Sequence, residues 1–254
     1  MELGTHKRDW EELAKFDAMW AVLTVGNKRG NKWDPAEFFN TGRIEIENLM
    51  AEIGGWSDKR DKALDFGCGV GRLTRALGGH YREAYGVDVS EAMVSKATLS
   101  TPGCHFRVNN ADDLRLFGDE MFDLVYSNMV LQHLPSKEMI SRYITEFFRV
   151  ANPGGLVVFQ VPSRKALKSQ LQLKRSTYRL LRAVGVRSEA IMGRLRGIQP
   201  MRMTPMAERD VLATIDAAGG KLLKRRPDPS APFGVMYCCR RLDARQKAPR
   251  KPLI

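Results

Sequence analysis

Cysteine is scarce in this 254-residue chain, and its spacing suits neither a metal nor a disulfide framework. Cys68, Cys104, Cys238 and Cys239 form no CxxC pair and stand at no Cys/His ligand interval, so they read as reduced, mostly buried small residues and no metal site is expected. Long apolar runs are missing too. Nothing approaches the roughly 20 residues that span a bilayer, and the opening MELGTHKRDWEELAKF mixes both charge signs, unlike a secretory signal. These absences make a cytoplasmic, globular protein the expectation. Acidic residues are scarce in one region only: residues 163–254 hold 22 Lys+Arg against 6 Asp+Glu, whereas residues 1–162 hold 19 against 23. The net charge of +12 therefore belongs to the second part of the chain, where it offers a surface to an anionic partner.

What is present is an alternation of strand and helix. Near-continuous apolar runs fall at 62–69 (KALDFGCG), 83–90 (EAYGVDVS), 104–110 (CHFRVNN), 122–131 (FDLVYSNMVL) and 155–162 (GLVVFQVP). Between them lie GRLTRAL, SEAMVSKATL and SKEMISRYITEFFRVA, with apolar residues at helical intervals and with Ser90 and Ser136 placed as N-caps. Such a pattern implies a doubly wound, mostly parallel α/β sheet. Two more strands, GKLLKRR (220–226) and FGVMYCCRR (233–241), are separated by only PDPSAP, so an antiparallel strand at that end makes seven in all. Before the sheet, Trp10, Leu13, Phe16, Trp20 and Leu23 mark an amphipathic helix, and a second helix is expected from Ile44 to Ile53. Residues 163–202 interrupt the pattern between the fifth and sixth strands as a helical insertion. Leu167, Leu171, Tyr178 and Leu181 make its apolar stripe, while Arg164, Lys168, Arg175, Arg179 and Arg182 make a basic flank. The alternative for that flank is a merely solvated helix face.

The turn ALDFGCGVGRLTRAL (63–77) decides between ligand classes by its spacing. A dinucleotide fingerprint needs G-x-G-x-x-G, but counting from Gly67 and Gly69 the third glycine is Gly71, and Arg72 stands where the dinucleotide glycine belongs. LDFGCGVGRLT resembles motif I of the class I S-adenosylmethionine-dependent methyltransferases. The likeness continues in order through YGVDVS, NADDL, FDLVYSNMVLQHLP and NPGGLVVFQVP, and so covers 62–162. The resemblance implies a Rossmann-like sheet, S-adenosylmethionine as methyl donor, and a set of donor contacts. Gly67, Gly69 and Gly71 would let backbone approach the donor, and Asp88 would accept from the ribose hydroxyls. Asp65 would favour the methionine ammonium, Asp112, Asp113 and Leu114 would border the adenine, and Ser127 and Asn128 would lie beside the methionine moiety. Arg43, in FFNTGRIEIENL, would pair with the donor's carboxylate; the alternative is an ordinary surface arginine. One methyltransferase domain is expected over 1–254: helices at 1–60, sheet core at 61–162 and 203–241, the basic insertion at 163–202 as a lid, and a disordered tail from 242.

An acceptor hydroxyl must lose a proton, and among four histidines only His133 stands just past the fourth strand, beside the expected donor site. It is the candidate general base; the alternative is a histidine that only fixes the strand-to-helix turn. NPGG followed by FQVP is not the Asn-Pro-Pro-aromatic signature of base-amine methylation, and no carboxylate and histidine set suggests a divalent metal. Trp33, Phe38 and Phe39 fit either an acceptor wall or the core. The chain resembles bacterial small-molecule methyltransferases, which implies O-methylation of a polar or anionic acceptor such as a sugar, a glycolipid or polysaccharide precursor, or a natural product. An RNA-modifying enzyme using the basic half is disfavoured by the lack of interleaved aromatics. A donor-binding regulator without catalysis is the other alternative, and peripheral contact with membrane headgroups is compatible with the charge.

Overall fold

The computed structural model describes residues 2–163, 173–195, 197–228 and 233–243. Arg164, Leu167, Lys168 and Leu171 of the expected insertion helix, most of the PDPSAP loop, and the expected tail from residue 244 lie outside them. Seven strands form one sheet in the order β3-β2-β1-β4-β5-β7-β6. These are β1 (Lys62–Phe66), β2 (Glu83–Asp88), β3 (His105–Val108), β4 (Phe122–Ser127), β5 (Ala151–Pro162), β6 (Gly220–Pro227) and β7 (Gly234–Arg241). Strands β1 to β5 pair in parallel, while β7 is antiparallel to both β5 and β6, so one strand runs against the rest as expected. The strand order reverses between β1 and β4, which opens a crevice at their carboxyl ends.

Side chains alternate across the strands and fill two layers. On one face Leu64, Phe66, Val87, Val125, Val157 and Phe159 meet α5 (Lys137–Val150), which contributes Ile140, Ile144, Phe147 and Phe148, and α8 (Glu208–Ala217). On the other, Ala63, Leu124, Tyr126 and Val158 meet α2 (Pro35–Ile53) and α3 (Arg72–Leu77). Ser90 and Ser136 each accept the backbone N–H three residues on, capping α4 (Glu91–Ser100) and α5. Helix α2 starts nine residues before the expected Ile44, because Asp34 caps it and Pro35 occupies its first turn. Strand β5 likewise begins at Ala151, paired with Phe122, rather than at Gly155. Leu242, expected to open the tail, donates its N–H to Gly219 O at 2.9 Å. Trp33 and Phe38 belong to the core, packed with Trp20, Leu13 and Val70.

The leading helix α1 (Glu2–Val22) is interrupted at Asp17, whose carboxylate accepts from Trp20 N, Gly30 N and Asn31 N. The insertion carries α6 (Leu173–Ala183) and α7 (Ser188–Arg194). Two residues of its expected basic flank are corrected by the structure. Arg175 and Arg182 turn inward, Arg175 to Asp9 and Arg182 to Glu12 on α1, together with the buried Tyr178 whose hydroxyl also bonds Glu12.

Helices α2 and α3 meet at Gly42, where an added Cβ would stand 2.4 Å from Arg72 O and 2.8 Å from Arg72 Cγ. Helix propensity alone would favour alanine there by about 1 kcal/mol. The backbone clash outweighs it, so Gly42→Ala is expected to lose about 2 kcal/mol and to lower Tm by roughly 5 °C in a thermal melt.

Candidate active site

The glycine turn after β1 is shaped by three left-handed residues, Gly67, Gly69 and Gly71, with φ of 78°, 52° and 85°. Space is as restrictive as conformation: a Cβ at Gly67 would meet Val130 at 2.4 Å, and one at Gly69 would meet Val22 at 2.3 Å. The amides of Gly67 and Cys68 both donate to Val87 O, and Gly69 N donates to Asp88 Oδ2 at 2.9 Å. The other oxygen of Asp88 accepts from Ser90 N at 2.9 Å. Its carboxyl lies above the usual range because burial disfavours the charge, against which these backbone donors work.

A cavity opens over this turn. Gly67, Gly69, Asp88 and His133 line it, together with Asn109 after β3, Met129 and Val130 after β4, and Tyr143 on α5. Its roof comes from α1, through His6, Trp10 and Val22. Lys7 ties that helix to Glu91 and Asn110, and Glu11 accepts from the first backbone N–H groups of α4. Met129 holds the left-handed region at φ 59°, a costly conformation for a side chain, and turns the chain from β4 into the 3-10 turn Leu131–His133.

His133 is thereby aimed into the cavity. Its Nδ1 lies 2.7 Å from Arg202 O, an atom that can only accept, so Nδ1 carries the proton and Nε2 the lone pair. Gln132 Nε2, at 3.2 Å, is a donor to that lone pair. Burial lowers the His133 pKa from its ordinary value while the Arg202 carbonyl works the other way. Trp10 packs edge-on at 5.3 Å between centroids. A smaller adjoining recess shares His6, Trp10 and His133 and is walled by Asp9, Arg175 and Arg202. There, burial pushes Asp9 up to about 6 against the pull of Arg175, and His6 falls to about 3 through burial and the charges around it.

Other residues singled out in the sequence stand behind or beside the cavity. Asp65 is buried under the turn, accepts from Thr74 Oγ1 at 2.7 Å and is pushed up to about 7 by burial. Gly71 caps α3. Asp112 pairs with Arg142, Asp113 with Arg115, and Leu114 sits in the core with its N–H on Glu146. Ser127 donates to Phe66 O. Arg43 faces solvent on α2, bonded to Glu47 and Asn40, away from the cavity. The buried cation near the turn is instead Arg72, paired at 2.9 Å with Glu45, which also accepts from Tyr126 and Asn128. The sequence gives no sign that His6 and Trp10 line the cavity, although their i, i+4 spacing places them on one helix face. Among the described residues, no cluster of His, Cys, Asp or Glu could hold a metal, and no helix is long and apolar enough to cross a membrane.

Residues 64–159 match the family described as a methyltransferase domain. The chain is similar to 2-methyl-6-phytyl-1,4-hydroquinone methyltransferase of Synechocystis, at 34% identity over 51% of this chain and 42% of that protein. It is also similar to ubiquinone biosynthesis O-methyltransferase of Pseudomonas fluorescens, at 30% identity over 61% and 64%, and to trans-aconitate 2-methyltransferase of Variovorax paradoxus, at 29% over 60% and 55%. The matches thus span about half the length of these curated relatives. In fold it resembles magnesium protoporphyrin IX methyltransferase of Synechocystis with bound SAH, with a TM-score of 0.61 and 18% identity over 94% of this chain and 99% of that one.

The histidines leave a signature in stability. An unfolded histidine takes its proton near 6.5, whereas folded His6 refuses it until about 3. Their neutral forms therefore support the fold above pH 6.5, and that support drains away as pH falls below 6.5. The buried carboxyls Asp9 and Asp65 act in the opposite direction, so the difference between proteins is the informative quantity. Relative to wild type, His6→Gln is expected to gain stability progressively in urea melts between pH 6.5 and 4.

Proposed function

We propose that this chain, whose residues 64–159 match a methyltransferase domain, is a class I S-adenosylmethionine-dependent enzyme that methylates a hydroxyl of a small polar or anionic acceptor. The observation that carries the reading is that one cavity holds both the glycine turn with Asp88 and the lone pair of His133. The donor fits the residues present: Gly67 and Gly69 leave no room for side chains of their own, and each Asp88 oxygen bonds one backbone N–H and has capacity for a ribose hydroxyl. Bound there, S-adenosylmethionine supplies a methyl group on a sulfonium, which passes to the acceptor oxygen as the carbon–sulfur bond breaks.

The protein's own residues position and deprotonate. Asn109 and Tyr143 border the cavity beside the Asp88 end, while Asp65, Asp112, Asp113, Leu114, Ser127 and Asn128 support its walls from behind. Nε2 of His133 exchanges the Gln132 amide for the acceptor hydroxyl and takes its proton, and the Arg202 carbonyl stabilises the imidazolium that results. The low pKa of His133 keeps this nitrogen free of protons at neutral pH. The recess lined by His6, Asp9, Arg175 and Arg202 adjoins His133 on the side where a polar acceptor would meet it. A sugar, a glycolipid or polysaccharide precursor, or a hydroxylated natural product has that chemistry. Residues 173–202 act as a lid, and the whole chain works as one catalytic unit of the cytoplasm.

Calorimetric titration with S-adenosylmethionine, S-adenosylhomocysteine and NADH tests the donor: micromolar binding of the first two and none of the third is expected, and NADH binding alone would overturn the reading. Asp88→Ala should weaken donor affinity tenfold or more through lost charge-assisted hydrogen bonds, with the thermal midpoint measured beside it to separate a collapsed turn. His133→Gln should cut turnover by about a hundredfold or more while donor affinity stays within threefold; full activity would remove it as the base.

A further inference from the structure

Helix α6 has two faces of different kinds. Arg175, Tyr178 and Arg182 look inward, onto Asp9, Glu12 and the Pro200 carbonyl. The opposite side carries Leu173 and Leu180, followed in the next turn by Val184, at 63%, 66% and 69% exposure, and residues seven and eleven apart fall on one helical stripe. Lys174 and Arg179 lie about a quarter to a third of a turn to either side of that stripe. Arg187 and Arg194 are exposed around α7 beside the exposed Leu195, with Glu189 the local acid. Among the described residues, Lys174, Arg179, Arg187 and Arg194 enter no ion pair. The segment thus spends its inward arginines on α1, with Arg179 also attracting Asp9, and leaves aliphatic side chains outside, rimmed by cations.

We propose that the outer face of α6, with the basic rim of α7, docks the protein on the surface of an anionic lipid bilayer. An aliphatic stripe flanked by cations matches the boundary between acyl chains and negative headgroups, where the apolar side chains sink in and the cations stay with the phosphates. Charge complementarity selects this occupant. A second copy of the chain would set Lys174 and Arg179 against their own equivalents, and nucleic acid would meet aliphatic groups that cannot stack on bases. The inference stands whether or not the cavity performs methyl transfer. Because the inner face of α6 walls the recess beside His133, docking would place that recess close to the headgroups.

The test is sedimentation of the full-length protein with phosphatidylcholine vesicles, with and without about a third phosphatidylglycerol. Binding to the anionic vesicles at least tenfold tighter than to the neutral ones is expected. Arg179→Gln should weaken it about fivefold, the equivalent of about 1 kcal/mol for one cation at such a surface, and Leu180→Gln with Val184→Gln should weaken it at least tenfold. Both variants should keep the wild-type thermal midpoint, since these side chains already face solvent. The proposal is overturned if anionic vesicles are not preferred, or if the double variant binds them as wild type does, which would mark simple adsorption of the basic half. It also fails if the double variant abolishes a concentration-dependent dimer or the binding of single-stranded RNA while leaving vesicle binding unchanged.

Discussion

One carboxylate at the end of β2 fixes the geometry of the crevice. Asp88 holds Gly69 N with one oxygen and Ser90 N with the other, so the turn after β1 and the start of α4 are set by the same group. The turn cannot adjust otherwise, because Val87 O already takes the two preceding amides and the glycine positions face Val130 and Val22 at contact distance. A charged group is costly at a cavity wall unless its hydrogen bonds are made. Its two backbone donors offset part of that cost, and a ligand donating to the same oxygens would offset more. Binding and local folding are therefore linked through one side chain.

Around this fixed floor the walls come from parts of the chain far apart in sequence. The roof is α1, held by Lys7 and Glu11 on α4 and by Glu12 on α6, while the side wall near His133 is the segment carrying Arg202. The floor rests on packed strands, and the roof combines these polar ties with an apolar cluster in which Leu13, Ala18 and Trp20 of α1 pack with Val70, Met93 and Ile191.

The sheet was legible because buried parallel strands read as short apolar runs and Ser90 and Ser136 announce their helices. The boundaries at α2 and β5 were less so, although Asp34-Pro35 is a start signal in its own right and Ala151 pairs before the glycines of NPGG. The cavity-lining residues Gly67, Gly69 and Asp88 could be found by resemblance to motif I and the acid after the second strand, and His133 by its place after the fourth. The roof was not legible: nothing local in THKRDWEEL says which helix it will cover, and His6 looks like any polar residue on an amphipathic helix. The basic flank misled for the same reason. Periodicity showed that Arg175 and Arg182 share a face, but their partners Asp9 and Glu12 lie more than 160 residues upstream, and only tertiary packing reveals that this face points in. Arg43 and Arg72 illustrate it again, since a surface and a buried arginine have the same composition and differ only in whether Glu45 is across from them.

The antiparallel strand has a consequence for how the protein is made. β5 is an interior strand of the finished sheet, yet its second neighbour, β7, is synthesised last of all the strands, after the insertion, α8 and β6. While the chain emerges from the ribosome, the parallel half can assemble from β1 to β5, but the long edge of β5 stays unpaired through that whole interval. An apolar strand with free backbone groups is a template for wrong partners. The nascent protein is therefore most in need of chaperone protection late in translation, when most of its fold is already in place.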